Sequence, residues 1–303
     1  MAAATVERSA TRDEARQAAQ AYLNSRITNG STTEASKPFT IPEINIAPSF
    51  SLSLSDRKAA EAKRFFKTLP QPKKEALLVK HSNYFRGWEP AEYTYVNPDD
   101  WSAEEQVPET KEGFNWGYEE GLDPSGGDGL YRELDGEKVN GNVWPSESDL
   151  PGFYEVVKKY YGQVLSLARH LFRVFALCLG LREDEFDEMI THPGGIARLL
   201  YYPASNDPQP LDPNHMDKEI GLGAHSDYEC FSILLCSSAP GLEILSPDNV
   251  WGPAPAVEGS FIINVADFLM RWTNGVYKST VHRVVNRTRE ERYSVPFFFR
   301  WSR

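Results

Sequence analysis

The sequence contains few cysteines. Its 303 residues include only Cys178, Cys230 and Cys236, and no two of them are spaced as a Cys-x-x-Cys pair. Secreted disulfide scaffolds and zinc ribbons depend on paired cysteines, so the sequence argues against both classes. Reduced thiols suit the cytosol, and we therefore predict a cytoplasmic protein.

Long apolar runs are also missing. Residues 1–37 contain no apolar segment of the kind found in a secretory signal, and we predict that they form a mobile N-terminal leader. The most apolar stretch, Val164–Leu181, is interrupted by Arg169 and Arg173. A membrane-spanning helix needs about 20 consecutive apolar residues, so we expect no membrane partner.

Positive charge is in deficit. The chain has 32 Lys and Arg against 43 Asp and Glu, which gives a formal net charge of −11. The overall field of such a protein repels nucleic acid and anionic membranes, so neither is an expected partner.

The two halves of the sequence differ in pattern. Helices are predicted in the first half over Arg57–Thr68 and Leu150–Leu181, and a short strand over 39–46. The polar stretch from about 81 to 151 carries no predicted strand. The second half alternates short β-type runs with turn residues, as sandwiches and barrels do. These runs are Ala197–Tyr202, Glu219–His225, Phe231–Cys236, Gly241–Leu245, Ser260–Val265, Ser279–Val285 and Arg292–Phe299.

Three residues of the second half have the spacing and type of metal ligands. Strand side chains alternate between two faces, so His225 and Asp227 project to the same side. His282 lies on a later β-type run and completes the set. Two imidazoles and one carboxylate leave three coordination positions open, which suits iron(II) binding O2 and an organic chelate together. A His-x-Asp pair alone often only caps a turn. The third ligand favours a metal site, and the Arg-x-Ser pair that follows it makes the metal site the stronger interpretation.

Arg292 and Ser294 follow His282 on the last β-type run and share one strand face. A guanidinium beside a hydroxyl is a good clamp for a carboxylate. The sequence therefore predicts a metal site with an anchor for the far end of a dicarboxylate.

This pattern resembles that of the iron(II)/2-oxoglutarate-dependent dioxygenases, in their isopenicillin N synthase-like branch and especially its fungal members. The resemblance covers roughly residues 39–300 and is most specific over 196–299. Beyond the ligands and the Arg292-x-Ser294 pair, it is carried by Arg198-Leu199-Leu200-Tyr201-Tyr202-Pro203, Asn264-Val265-Ala266-Asp267, Trp272-Thr273-Asn274-Gly275 and Tyr277–Val284.

The resemblance implies a fold that is mostly β with flanking helices, around a double-stranded β-helix (jelly-roll) core. It implies that residues 196–303 form the catalytic core and that a helical and loop region over 38–195 packs on this core. It also implies an oxidoreductase that uses iron(II), 2-oxoglutarate and O2 to hydroxylate, desaturate or cyclise a small organic substrate, in secondary metabolism. Arg292 and Ser294 would hold the distal carboxylate of 2-oxoglutarate, and Tyr202 would lie beside it.

Two alternatives stay open at this level. The first is an oxidase like isopenicillin N synthase itself, in which the Arg-x-Ser pair holds the substrate's carboxylate and no 2-oxo acid is used. The second is a catalytically inactive jelly-roll protein that binds a small molecule. This alternative is raised because two elements of family members have no counterpart in the sequence. One is a strand before the Arg64-Phe65-Phe66 helix, and the other is a helix after the Arg-x-Ser strand.

Overall fold

A computed structural model of the chain describes residues 57–96, 107–133, 136, 141–208, 219–255, 257 and 259–301. The predicted leader 1–37 and the predicted strand 39–46 lie outside these ranges. The helices are α1 (Arg57–Thr68), α2 (Gln71–Ala76), α3 (Phe153–Cys178) and α4 (Asp267–Trp272). None of the helices in the described ranges combines the length and apolar character that crossing a membrane requires.

Ten of the strands form two antiparallel sheets. The six-stranded major sheet has, in spatial order, β1 (Gly87–Glu89), β4 (Glu112–Gly117), β5 (Ile196–Tyr202), β12 (Arg292–Phe299), β7 (Phe231–Cys236) and β10 (Ile262–Val265). The minor sheet has β6 (Leu222–His225), β11 (His282–Val284), β8 (Leu242–Leu245) and β9 (Trp251–Pro253). A separate pair joins β2 (Tyr95–Val96) to β3 (Val107–Pro108).

The eight strands β5 to β12 are divided between the two sheets in the order of a double-stranded β-helix. Side chains from both sheets meet between them, where Leu200 and Tyr202 of β5 pack with Leu242 of β8 and Val284 of β11. The predicted jelly-roll core with flanking helices is therefore confirmed.

The other face of the major sheet carries the main apolar core. Alternate residues of β12 (Tyr293, Val295, Phe297, Phe299) join a buried cluster with residues of α1 and α3. The Phe114 ring of β4 lies 4.6 Å from that of Phe65 on α1 and 5.9 Å from that of Phe153 on α3, measured between centroids. Beyond β12, the indole of Trp301 stacks on that of Trp272 at the end of α4, at 3.9 Å. Helices and sheet thus enclose one buried cluster that is rich in aromatic side chains.

Most predicted elements are present, with shorter ends. The helix predicted over Leu150–Leu181 begins at Phe153 and ends at Cys178. Glycines with positive φ of 74° flank it at 152 and 180, a conformation that interrupts helices. The helix predicted over Arg57–Thr68 is confirmed.

The polar stretch between about 81 and 151, for which no strand was predicted, contains β1 to β4. The β4 strand pairs with β5 over six residues, from Glu112↔Tyr201 to Gly117↔Ile196. Two glycines and an asparagine among its six residues (EGFNWG) hide it, since both residue types are rare in strands.

Candidate active site

The three predicted metal ligands come together at one end of the minor sheet. His225 is the last residue of β6 and His282 the first of β11, and the two are cross-strand partners with ring centroids 4.3 Å apart. Asp227 follows β6 by two residues. Its Oδ1 atom lies 3.6 Å from Nε2 of His225 and 3.8 Å from Nε2 of His282. The ligand atoms of all three side chains lie within 4.8 Å of one another.

Backbone contacts fix the tautomers of both imidazoles. The Nδ1 atom of His225 lies 2.8 Å from the carbonyl oxygen of Gly223, and that of His282 lies 3.1 Å from the carbonyl oxygen of Thr280. A carbonyl oxygen can only accept, so each Nδ1 donates a proton and, in the neutral imidazole, each Nε2 keeps its lone pair. Both Nε2 atoms are therefore available to a metal ion.

The Asp227 carboxylate is oriented by two donors on the major sheet. Its Oδ2 atom accepts hydrogen bonds of 2.7 Å from both Ser232 Oγ and Asn264 Nδ2. Ser232 on β7 and Asn264 on β10 are direct cross-strand partners. With Oδ2 occupied, Oδ1 faces the two histidines. Ser232 and Asn264 are both polar residues in otherwise apolar strands, at positions that face the minor sheet, which was a signal for this contact, although neither was predicted to belong to the site.

Electrostatics keep this carboxylate ionised. Burial opposes its ionisation, but interactions with the neighbouring His282 and His225 side chains and the hydrogen bond from Ser232 outweigh burial and hold the pKa of Asp227 well below its ordinary value. Two neutral imidazole nitrogens and one anionic oxygen form a donor set that fits a divalent transition metal such as iron(II). Within the described ranges, no other group of His, Cys, Asp and Glu side chains converges in this way.

The predicted carboxylate clamp lies between the sheets. Arg292 is 1% exposed and Ser294 2%, and both face the minor sheet. The Nη2 atom of Arg292 donates to Cys236 Sγ at 3.2 Å, and its guanidinium carbon lies 4.9 Å from the centre of the Tyr202 ring. Its Nη1 atom is buried and has no hydrogen-bond partner among the described residues. Because a buried donor without an acceptor is costly, this cation fits an anionic ligand.

Cys236 completes this end of the site and was not predicted to belong to it. It is the cross-strand partner of Ser294. Burial raises the pKa of the Cys236 thiol, although the charge of Arg292 opposes this shift. The thiol is thus a neutral neighbour that leaves the charge of Arg292 available to a ligand.

The sequence and the fold both match known proteins. The family profile of the 2OG-Fe(II) oxygenase superfamily matches residues 193–300. The chain is 36% identical over 243 residues to the 2-oxoglutarate-Fe(II) type oxidoreductase hxnY of Emericella nidulans, covering 78% of this chain and 64% of the relative. It is 31% identical over 300 residues to the 2-oxoglutarate-Fe(II) type oxidoreductase ppzC of Metarhizium majus, covering 86% of this chain and 78% of the relative.

A solved structure supports the same assignment. The crystal structure of a full-length Neurospora crassa protein in complex with alpha-KG and thymine superposes with a TM-score of 0.62 and 27% identity, covering 80% of this chain and 71% of that one. The chain spans slightly less than two thirds of hxnY but more than three quarters of ppzC. The sequence matches, the fold and the geometry of the predicted ligand residues agree, and this chain belongs to the 2OG-Fe(II) oxygenase superfamily.

Proposed function

We propose that this chain is an iron(II)- and 2-oxoglutarate-dependent dioxygenase that uses O2 to oxidise a small organic molecule. The observation that carries the proposal is the convergence of His225, Asp227 and His282 in a chain that also buries the unpaired guanidinium nitrogen of Arg292. A metal site alone would fit many reactions. A metal site together with an anchor for a distal carboxylate favours a 2-oxo dicarboxylic acid as cosubstrate.

Each residue has a distinct role in this proposal. His225, Asp227 and His282 would hold the iron through two Nε2 atoms and one Oδ1 atom. Arg292 and Ser294 would bind the distal carboxylate of 2-oxoglutarate, with the Tyr202 ring packed against the guanidinium. When bound, iron(II) and 2-oxoglutarate supply the activation of O2, with the 2-oxo acid converted to succinate and CO2 as the substrate is oxidised. The protein orients these groups and excludes water from them.

The substrate class and setting belong to the same proposal. The Neurospora crassa protein is crystallised with thymine, a small molecule, and hxnY and ppzC come from fungi. We therefore propose that the chain oxidises a small organic substrate in secondary metabolism. The three cysteines are free thiols, which agrees with the proposed cytoplasmic location.

Anaerobic addition of iron(II) and 2-oxoglutarate tests the proposal. The wild-type protein should develop the weak visible charge-transfer band of the chelate, and Asp227→Ala should lose it. Arg292→Ala should keep metal binding but need about 30- to 4000-fold more 2-oxoglutarate, since losing a buried charge pair costs about 2–5 kcal/mol. Arg289→Ala, which removes an exposed arginine three residues earlier, is the matched control.

Turnover separates the alternatives. Succinate release coupled to O2 uptake is the expected result. Iron-dependent O2 uptake without succinate would indicate the oxidase instead. A wild-type protein that binds no iron, or an Asp227→Ala variant that binds it equally well, would refute the metal site and leave the inactive binding protein.

A further inference from the structure

A segment from the first half of the chain lies against the strand that carries His225. Glu109 forms a parallel bridge with Ile220, and the backbone N–H of Thr110 donates to the carbonyl oxygen of Ile220 at 2.9 Å. Ile220 precedes β6, which is the edge strand of the minor sheet. The free edge of β6 is therefore partly covered by residues just before β4.

The β6 strand is irregular immediately before His225. His282 pairs with His225 and Val284 with Leu222, so that Arg283 alone lies opposite both Gly223 and Ala224. Such a bulge interrupts the ladder of backbone hydrogen bonds and re-aims the neighbouring side chain. A backbone N–H released by a bulge in a buried place needs another acceptor.

Glu109 supplies that acceptor. Its Oε1 atom accepts a 2.8 Å hydrogen bond from the backbone N–H of Gly223. The carbonyl oxygen of the same glycine accepts the Nδ1 proton of His225 at 2.8 Å. Gly223 thus links the Glu109 carboxylate to the imidazole that faces Asp227, and a shift of Gly223 would turn that ring.

The Glu109 carboxylate is itself held firmly. It is 4% exposed, its Oε2 atom lies 2.8 Å from Lys111 Nζ, and Thr94 Oγ1 also donates to it. Lys111 is 2% exposed and pairs equally closely with Glu89, at 2.8 Å. Burial opposes ionisation of Glu109, but the charge and hydrogen bond of Lys111 outweigh burial and lower its pKa. A buried charge-assisted pair of this kind fixes its members in one geometry.

We propose that Glu109 is a positioning residue for the metal site, which holds the bulge at Gly223 and thereby sets the direction of the His225 imidazole. The proposal rests on the metal site given under the proposed function. A purely structural role for Glu109 would affect folding alone. A positioning role would also change metal affinity in a protein that remains folded.

Titration of the full chain with Co²⁺, followed by its visible d–d absorption, distinguishes these roles without turnover. Glu109→Ala should raise the Kd for Co²⁺ about tenfold, the lower end of the range for groups that orient a ligand, and should alter the band shape. Glu109→Gln keeps an oxygen for the Gly223 N–H and should stay within about threefold of wild type. Glu89→Ala is the matched control, since Glu89 is also buried and also forms an ion pair with Lys111, but has no hydrogen bond to β6.

The outcomes separate the two proposals. Wild-type protein that does not bind Co²⁺ contradicts the metal site itself. If wild-type protein binds Co²⁺ normally, two results overturn only the proposed role of Glu109. One is an unchanged Kd in folded Glu109→Ala, and the other is an equal loss of Co²⁺ affinity in Glu89→Ala. If Glu109→Ala does not fold, Glu109→Asp replaces it. The shorter carboxylate keeps the charge for Lys111 but withdraws from Gly223. The affinity for Co²⁺ should therefore fall while thermal stability stays near that of wild type. An unchanged Kd again overturns the proposal.

Discussion

The two oxygens of the Asp227 carboxylate have different partners. Oδ2 accepts from Ser232 and Asn264, whereas Oδ1 faces the histidines. A carboxylate fixed in this way offers one oxygen, which leaves more coordination positions for the cosubstrate than a bidentate ligand would. The orientation of this one side chain therefore depends on a cross-strand pair in the opposite sheet.

Asn264→Ala tests that dependence. Removing one donor from Oδ2 should let the carboxylate rotate, and we expect a 10- to 100-fold rise in the Kd for Co²⁺. Ile263→Ala on the same strand is the control, because the Ile263 side chain is 36% exposed and alternates to the other face of β10. Equal affinities in the Asn264 variant and wild type would mean that Ser232 alone fixes the carboxylate.

The sequence predicted the ligand residues but not the groups that orient them. His225, Asp227 and His282 are recognisable because metal chemistry restricts residue type and because two of them are close in sequence. Ser232 and Asn264 lie on correctly predicted strands, yet their contact depends on how β7 pairs with β10. Glu109 is 114 residues from Gly223, and no local pattern links the two.

Among the elements, α3 is tied to the chain before it by one buried ion pair. Asp123 has a fully buried side chain and accepts hydrogen bonds of 2.8 and 2.7 Å from the Arg169 guanidinium of α3. Burial opposes ionisation of Asp123, but the hydrogen bonds from Arg169 and Ser125 outweigh it and lower the pKa of Asp123. The pair connects the 3-10 turn at Glu120–Leu122 to the middle of the helix.

Asp123→Asn should lower the free energy of unfolding by about 3 kcal/mol at pH 7, since Arg169 loses its charged partner. Because the folded pKa of Asp123 is depressed, its stabilisation is present above the ordinary value of 3.8 and is lost as pH falls through the lower folded value. The difference between variant and wild type should therefore shrink below pH 3.8. Denaturant titrations at several pH values measure this. Asp184→Asn, which breaks an exposed pair with Arg182, should cause no measurable change.

Elements were predictable where apolar and polar residues alternate along the chain, even where both strand faces are buried. In β12, apolar residues alternate with Arg292 and Ser294, and its predicted bounds are confirmed. In β4, only Phe114 and Trp116 carry the apolar face, while Gly113 and Asn115 occupy the other. Two apolar residues between glycines do not establish a period, so the strand becomes evident only through its pairing with β5.

At the scale of the whole molecule, the two halves of the chain share one core. Phe114 belongs to the same buried cluster as Phe297 of β12, and its strand β4 pairs with β5 of the second half. The Tyr161 ring of α3 lies 5.1 Å from that of Phe297, measured between centroids. The division into 38–195 and 196–303 stays a prediction, and this shared core bears directly on it. If the halves fold as one cooperative unit, a defect in the first half should destabilise the metal site in the second.

Phe114→Ala should therefore lower the free energy of unfolding by about 3–5 kcal/mol, the cost of a large cavity in a packed core. Unfolding should remain a single transition, and Co²⁺ should raise its midpoint in variant and wild type alike. Phe85→Ala removes a ring that is 70% exposed and serves as control. Two separate transitions, with only one sensitive to Co²⁺, would show instead that the halves fold independently.

The stacked indoles of Trp272 and Trp301 give this architecture an optical signal. Ring centroids 3.9 Å apart and planes inclined by 30° couple the electronic transitions of the two indoles, so the pair should contribute an exciton signature to the far-ultraviolet circular dichroism. The two rings lie on the short helix α4 and on the segment that leaves β12. The spectrum therefore reports whether that segment stays docked, without any added label.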